Sequence, residues 1–147
     1  MMEKMKEIYY LNKKSLPTIP VPHDCIIKSI CLREQCIEFV FEDDISYHDS
    51  IQYYKPEAKS LVIKYHFAYD VDDYSIYKWV TPKKPFSKDG HYKHLDNRLI
   101  TKLSKGKFKL EYLYHNVGYC SIITKLFSNG YIILDAEIDY VEFDWIC

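Results

Sequence analysis

The sequence predicts a mostly β protein, an antiparallel β-sandwich or open barrel of about 7–8 strands with one short helix near residues 94–105. Three observations carry that prediction. The run from His23 to Glu42, HDCIIKSICLREQCIEFVFE, alternates apolar and polar residues along two arms, as a half-buried hairpin requires. Fifteen tyrosines favour strands, and the only four glycines (Gly90, Gly106, Gly118 and Gly130) all fall at predicted turns. Finally, short alternating runs recur with turn residues between them, and neither an internal repeat nor a second-domain boundary interrupts the pattern.

At 147 residues the chain suits one domain, able to bury roughly 70% of the surface its unfolded form exposes. Residues 1–22 read as an N-terminal arm with a Pro-rich lead-in, and residues 23–147 as a single β-rich domain. Residues 1–15 fit either a short amphipathic helix (Met2, Met5, Tyr9) or a first strand. Pro17, Pro20 and Pro22 then force an extended path. In the hairpin, Ile26, Ile30 and Leu32 answer Ile37, Phe39 and Phe41. An even-numbered loop is required: Arg33-Glu34 would set Cys31 opposite Cys36, whereas four residues would pair Leu32 with Ile37. Arg-Glu lacks the chemistry of a two-residue turn, which favours the longer loop.

The stretch EDDISYHDSIQYYKPEAKS has weak periodicity and reads as a long excursion or an edge strand. Next comes a strong strand with Leu61, Ile63, Tyr65, Phe67 and Tyr69 on one side. After a turn at Asp70–Asp73, YSIYKWV is expected to return against it. The helix is expected in HLDNRLITKLSKG, where Leu95, Leu99 and Leu103 share a stripe, Asp96 sits early, and Lys102, Lys105 and Gly106 sit late. A strand over 107–114 should turn at residues 115–118. In the last third a three-residue loop, Ser128-Asn129-Gly130, aligns Leu126, Thr124, Ile122 and Cys120 with Ile132, Leu134, Ala136 and Ile138. Past Ile138 the apolar phase moves to Val141, Phe143 and Trp145, so a bulge or tight bend is expected near Asp139-Tyr140.

Most catalytic and metal chemistries lack support in these residues. Five cysteines, an odd number without CxxC spacing, argue against a zinc ribbon or a secreted disulfide scaffold. His91-x-x-His94 is the one close histidine pair, and two ligands do not make a metal site. Asp70-Val-Asp-Asp73 lacks the glycine and terminal glutamate of a calcium loop. A nucleophile at Cys25 or Cys120, with His23, His66 or His115 as base, has only Asp24 as an adjacent carboxylate and no flanking oxyanion turn. No apolar run reaches the ~18 residues of a membrane helix, and MMEKMKEIYYLNKK is no signal peptide. No cofactor or metal is expected, and a reducing cytoplasm is.

Charge distribution is the informative feature, because a net charge of −1 hides segregated patches. Lys83, Lys84, Lys88, Lys93, Arg98, Lys102, Lys105, Lys107 and Lys109 face only Asp89 and Asp96 in that segment. Without a nucleic-acid motif and with few aromatics nearby, nucleic acid is a poor partner for it. Between residues 34 and 57 the acids Glu34, Glu38, Glu42, Asp43, Asp44, Asp49 and Glu57 face Lys55 alone. The final strands add Asp135, Glu137, Asp139, Glu142 and Asp144. Asp135, Glu137 and Asp139 should line one outward face, and together with Glu142 and Asp144 they are the expected contact charges for a basic protein partner, with Tyr119 and Tyr131 as aromatic anchors.

The residues HDCIIKSI followed by CIEFVF resemble the opening of small bacterial β-rich proteins, which begin with His-Asp, a small residue and a strand–turn–strand. Some of those are similar to immunity proteins encoded beside polymorphic toxins. The resemblance spans His23 to Glu42, with Cys25 where Ser or Ala is more usual. It implies a non-enzymatic binding protein and brings no catalytic residues. A small hydrolase or small-ligand binder with a His/Cys/Asp pocket is the competing expectation.

Overall fold

The fold rests on one long final strand. In the computed structural model, which describes residues 4–68, 74–80, 90–95, 109–128 and 130–147, the elements are β1 (Lys4–Tyr10), β2 (Cys25–Arg33), β3 (Cys36–Phe41), α1 (Asp49–Tyr54), β4 (Ser60–Phe67), β5 (Tyr74–Val80), β6 (His91–Leu95), β7 (Leu110–Gly118), β8 (Ser121–Phe127) and β9 (Tyr131–Ile146). β9 pairs along both of its edges. On one edge β4 covers Ile138–Ile146 and β5 covers Ile132–Ala136; on the other, β1 covers Tyr140–Ile146 and β8 covers Tyr131–Glu137. Backbone bonds stitch the joints: Ala68 N–H to Glu137 O, Leu11 N–H to Asp139 O, and Ile138 N–H to Cys120 O.

The pairings β9–β4–β3–β2–β7–β8 return to β9, so the antiparallel sheet rolls into a ring. The β2–β7 seam has only three residue pairs, Cys25–Ile27 with Leu110–Tyr112, which leaves the barrel partly open there. β6 extends the sheet beyond β5. Among the described residues α1 is the one helix, and no helix is long and apolar enough to cross a membrane.

The late meander forms in the expected register: Ile122 opposes Ala136, Thr124 opposes Leu134 and Leu126 opposes Ile132. Gly130 closes the loop at φ 139°, a conformation that L side chains rarely adopt. The expected bulge also appears. His66 pairs with Tyr140 and Phe67 with Ile138, and the buried phase of β9 changes there from even to odd positions.

Several expectations are corrected. Leu32 does pair with Ile37, but Arg33 pairs with Cys36 as well, so the turn is the two residues Glu34-Gln35, with Gln35 at φ 61°. A bulge between Ile27 and Ser29 shifts the phase of β2, so Cys25, Ile27 and Ile30 are buried while Leu32 is exposed. The excursion contains α1, not an edge strand. Its Ile51 is its buried residue. β5 pairs with β9 rather than β4, because β9 is long enough to template both end to end. β7 continues through residues 115–118, and the turn is Tyr119-Cys120. His94 and Leu95 of the expected helix belong to β6; the rest of that segment, and Asp70–Asp73, lie outside the described residues.

A polar chain crosses the apolar interior. Tyr65 Oη lies 2.7 Å from both Thr124 Oγ1 and Tyr112 Oη; Tyr112 Oη lies 2.5 Å from His115 Nδ1, and His115 Nε2 lies 3.1 Å from the Ile19 carbonyl. A carbonyl can only accept, so Nε2–H of His115 donates. Neutral Nδ1 then accepts from Tyr112, Tyr112 oxygen from Tyr65, and Tyr65 oxygen from Thr124. Every link is satisfied in one direction, and the chain ties the Pro-rich lead-in to β7. Tyr65→Phe breaks it in the middle and should cost about 1–3 kcal/mol in urea unfolding.

Burial pushes the His115 pKa below its ordinary 6.5, against the pull of the Ile19 carbonyl, and burial likewise lowers His66 despite Glu142. The unfolded chain therefore takes up these protons first. Stability should be full above 6.5 and fall as pH drops below it, until the lowered folded values are reached. The thermal midpoint should decline between about pH 7.5 and 5.5, and His115→Leu should flatten that decline. An unchanged slope in His115→Leu would contradict the assignment.

Candidate protein-binding face

The outward face of the sheet divides at the β9 bulge, and its two halves differ in charge. In the first half, β9 presents Tyr131, Ile133, Asp135 and Glu137 at alternate outward positions. Opposite them on β8 stand Phe127, Lys125, Ile123 and Ser121, in that order. On the other side β5 sets Tyr77 beside Ile133 and Ser75 beside Asp135, and β6 continues with His94 and Tyr92. Tyr131, Phe127, Ile123, Trp79 and Tyr92 are all exposed large side chains.

Local contacts order these rings. Phe127 and Tyr131 meet edge to face at 5.5 Å, as do Trp79 and Tyr92 at 5.0 Å, and Lys125 Nζ stands 4.3 Å over the Tyr131 ring. The charges on this half are Asp135 and Glu137, both exposed, and Lys125 over the Tyr131 ring. Among the described residues neither enters an ion pair. Tyr119 is exposed in the turn before β8, beyond the Ser121–Glu137 pair, so the two tyrosine anchors stand at opposite ends of the face.

The other three carboxylates are differently placed. Asp139 sits at the bulge, half-buried, and accepts a 2.6 Å hydrogen bond from Asn12. Glu142 and Asp144 point outward beyond the bulge into a network of cations. Glu142 is only 6% exposed. It lies 3.7 Å from Lys6 on β1, and 3.6 Å from Lys64 and 3.2 Å from His66 on β4. Lys64 also reaches Asp144 at 3.2 Å, and the His66 ring stacks on Tyr140 at 4.1 Å.

Burial acts to raise the Glu142 carboxyl, but its hydrogen bond with Asp144 and the charges of Lys64, Lys6 and His66 hold it below the usual range. Asp144 is pushed up by burial, and then by its hydrogen bond to Glu142 and that group's charge. Asp144 is therefore the member that protonates first. This half is internally neutralised and ties three strands together. Lys64 and Lys6 escaped the sequence reading, and His66 entered it only as a candidate base, although Lys64 and His66 occupy the polar parity of their strand. Ile123, Phe127 and Trp79 escaped it too, because apolar residues at outward positions look like core until pairing fixes the faces.

The histidine and cysteine candidates do not converge on one site. His115 is in the interior chain, His66 on the β4 face and His94 on β6. Cys120 is half-buried in its turn at φ 50°, rather than on the apolar side of a strand. His23 and Asp24 do meet, with His23 Nδ1 at 3.0 Å from Asp24 Oδ2, beside a cleft that Cys120 does not line. Cys25 is buried near them, and burial pushes its thiol up to about 12, which suppresses the thiolate a nucleophile needs. Among the described residues no three His, Cys, Asp or Glu side chains are grouped to hold a metal ion. No protein-family model, curated protein or solved structure matches the chain.

Lys64→Met leaves buried Glu142 and half-buried Asp144 without their shared cation. The fully buried value is 3–5 kcal/mol, and partial exposure reduces the expected loss to about 1–3 kcal/mol near pH 7.5. The carboxyls of the variant should hold protons more tightly folded than unfolded, so the deficit should narrow as pH falls toward about 5. Urea unfolding at both pH values reads the change. A deficit that widens on acidification would contradict the network.

Proposed function

We propose that the chain is a non-enzymatic protein-binding β domain that presents its acidic, tyrosine-rich β8–β9 face to a basic protein, in the manner of a cytoplasmic immunity protein neutralising a toxin. The observation that carries this reading is the contrast along β9. Glu142 and Asp144 are matched by Lys6, Lys64 and His66, whereas Asp135 and Glu137 have no ion-pair partner among the described residues. Two exposed, uncompensated carboxylates two residues apart project from a rigid strand beside Tyr131, Phe127 and Ile123.

Such a face has the parts that protein recognition uses. Tyrosine and phenylalanine offer large contact area with few rotamers to freeze. The carboxylates stay hydrated until a partner arrives, then steer a basic surface into register. A catalytic role has weaker support, because burial keeps the Cys25 thiol protonated and both ring nitrogens of His115 are engaged in the interior chain.

The test uses the D135K/E137K double variant, whose two positions form no described ion pair, with a basic protein toxin as the probe. Wild type should capture it, and the variant should lose affinity on the order of a hundredfold while its thermal midpoint stays within about 2 °C. Equal capture by wild type and variant would remove the platform from the account.

A further inference from the structure

A second acidic surface lies away from the β8–β9 face, where the lead-in to β2 meets the start of α1. His23, Asp24, Tyr47, His48, Asp49 and Ser50 line a cleft of about 350 Å³. Its two walls are fixed to each other and to the barrel. Ser50 Oγ donates to the His23 carbonyl at 3.2 Å, and Asp24 N–H donates to the Tyr112 carbonyl at 2.9 Å. That second bond holds Asp24 at φ 67°, a backbone conformation uncommon for residues other than glycine.

Tyr47 is the aromatic ring of the cleft itself, and α1 carries two more exposed tyrosines toward its C-terminal end. Tyr47 is 65% exposed and Tyr53 is 81% exposed, with Tyr54 beside it at a ring separation of 5.0 Å. The Tyr47 ring lies against His48 at 4.3 Å. Rings this exposed on a short helix gain little from their own fold, and tyrosine is the residue that interfaces recruit.

The electrostatics select the sign of an occupant. Asp24 and Asp49 line the cleft, and among the described residues no lysine or arginine does; His23, which also lines it, stands with Nδ1 3.0 Å from Asp24 Oδ2 and leaves Oδ1 open. Glu42, Asp43 and Asp44 lie just before Tyr47 in the chain. The Tyr47 phenol is pushed up first by desolvation and then by nearby charges that include Glu42 and Asp44. The neighbouring cations are engaged elsewhere: Lys55 with Glu7 at 3.3 Å and Lys28 with Asp43 at 3.3 Å. One polar atom is also left over, since the ring nitrogen Nε2 of His48 is shielded from solvent without a hydrogen-bond partner among the described residues.

We propose that this cleft seats an arginine or lysine side chain carried by an extended segment of a partner protein. The cationic head lies between the Asp24 and Asp49 carboxylates and against the Tyr47 ring, and the flanking residues of the segment rest on Tyr53 and Tyr54. Carboxylates and an aromatic face are the two environments that favour a guanidinium or ammonium, and a planar guanidinium suits both best. The site is independent of the β8–β9 face and stands whether or not that face binds.

Two-dimensional NMR titration tests it with four probes: a blocked pentapeptide bearing a central arginine between leucines, its glutamine counterpart, its lysine counterpart, and propylguanidine. The arginine peptide should give saturable shifts at Tyr47, His48 and Ser50, with Kd on the order of 1 mM. The lysine peptide should bind at the same place more weakly, and the glutamine peptide should give no saturable shifts. D24N and D49N are isosteric, and asparagine tolerates positive φ, so the fold should persist; each should weaken the arginine peptide about five-fold. D135K/E137K should leave this binding unchanged. Glutamine binding as well as arginine, an unaffected D24N/D49N variant, or shifts confined to β8–β9 would each overturn the proposal. Propylguanidine binding as tightly as the peptide would assign the cleft to a free small cation and overturn the protein segment as its occupant.

Discussion

Both edges of β9 are hydrogen-bonded, and the rest of the molecule depends on that double ladder. A strand of 16 residues is about three times the usual length, and it lets two shorter strands dock end to end on each side. β4 and β5 share one edge while β1 and β8 share the other, so segments far apart in sequence are aligned by a single template. The bulge at Asp139 keeps so long a strand compatible with a rolled sheet. It bends the strand and changes which parity faces inward, so Ile132, Leu134, Ala136 and Ile138 before it and Val141, Phe143 and Trp145 after it all reach one core.

The same bulge separates the carboxylates of β9 into two populations with different physics. Beyond it, Glu142 and Asp144 stand between β1 and β4 and are matched by Lys6, Lys64 and His66. Desolvation there is offset by local charge, and the groups serve cohesion between strands. Before it, Asp135 and Glu137 stand exposed among aromatic rings. Charge that is not matched within the described structure is available to a partner. A count of acids along the C-terminal strands joins these groups, and pairing separates them.

Much of the architecture was legible because alternation reports which face is buried wherever a strand is regular. The meander register, the Gly130 loop and the β9 bulge all followed from matching apolar parities across a turn. Legibility failed where parity carries no information. The Ile27–Ser29 bulge moved the phase of β2 without a local marker, which misplaced Ile26 and Leu32. Partner choice was also invisible: β5 looked like the return arm of β4 because consecutive strands commonly pair, and only the length of β9 makes the end-to-end arrangement possible. The α1 turn buries one residue of its own, Ile51, among polar neighbours, and Ile45 and Ala58 on either side are too far apart in the chain to show a helical period. Of the contact residues, Asp135, Glu137, Tyr119 and Tyr131 could be read as outward-facing. The neutralisation of Glu142 and Asp144 could not, because Lys6 lies 136 positions from Glu142 in the chain.

The central claim is that recognition uses the unmatched half of β9 and spares the matched half. Cross-saturation NMR on the labelled chain, bound to a basic protein toxin that it captures, addresses this directly. The account predicts saturation transfer to Phe127, Tyr131, Ile133, Asp135 and Glu137, with Lys64, Glu142 and Asp144 unaffected. Transfer centred on Lys64, Glu142 and Asp144 would contradict it.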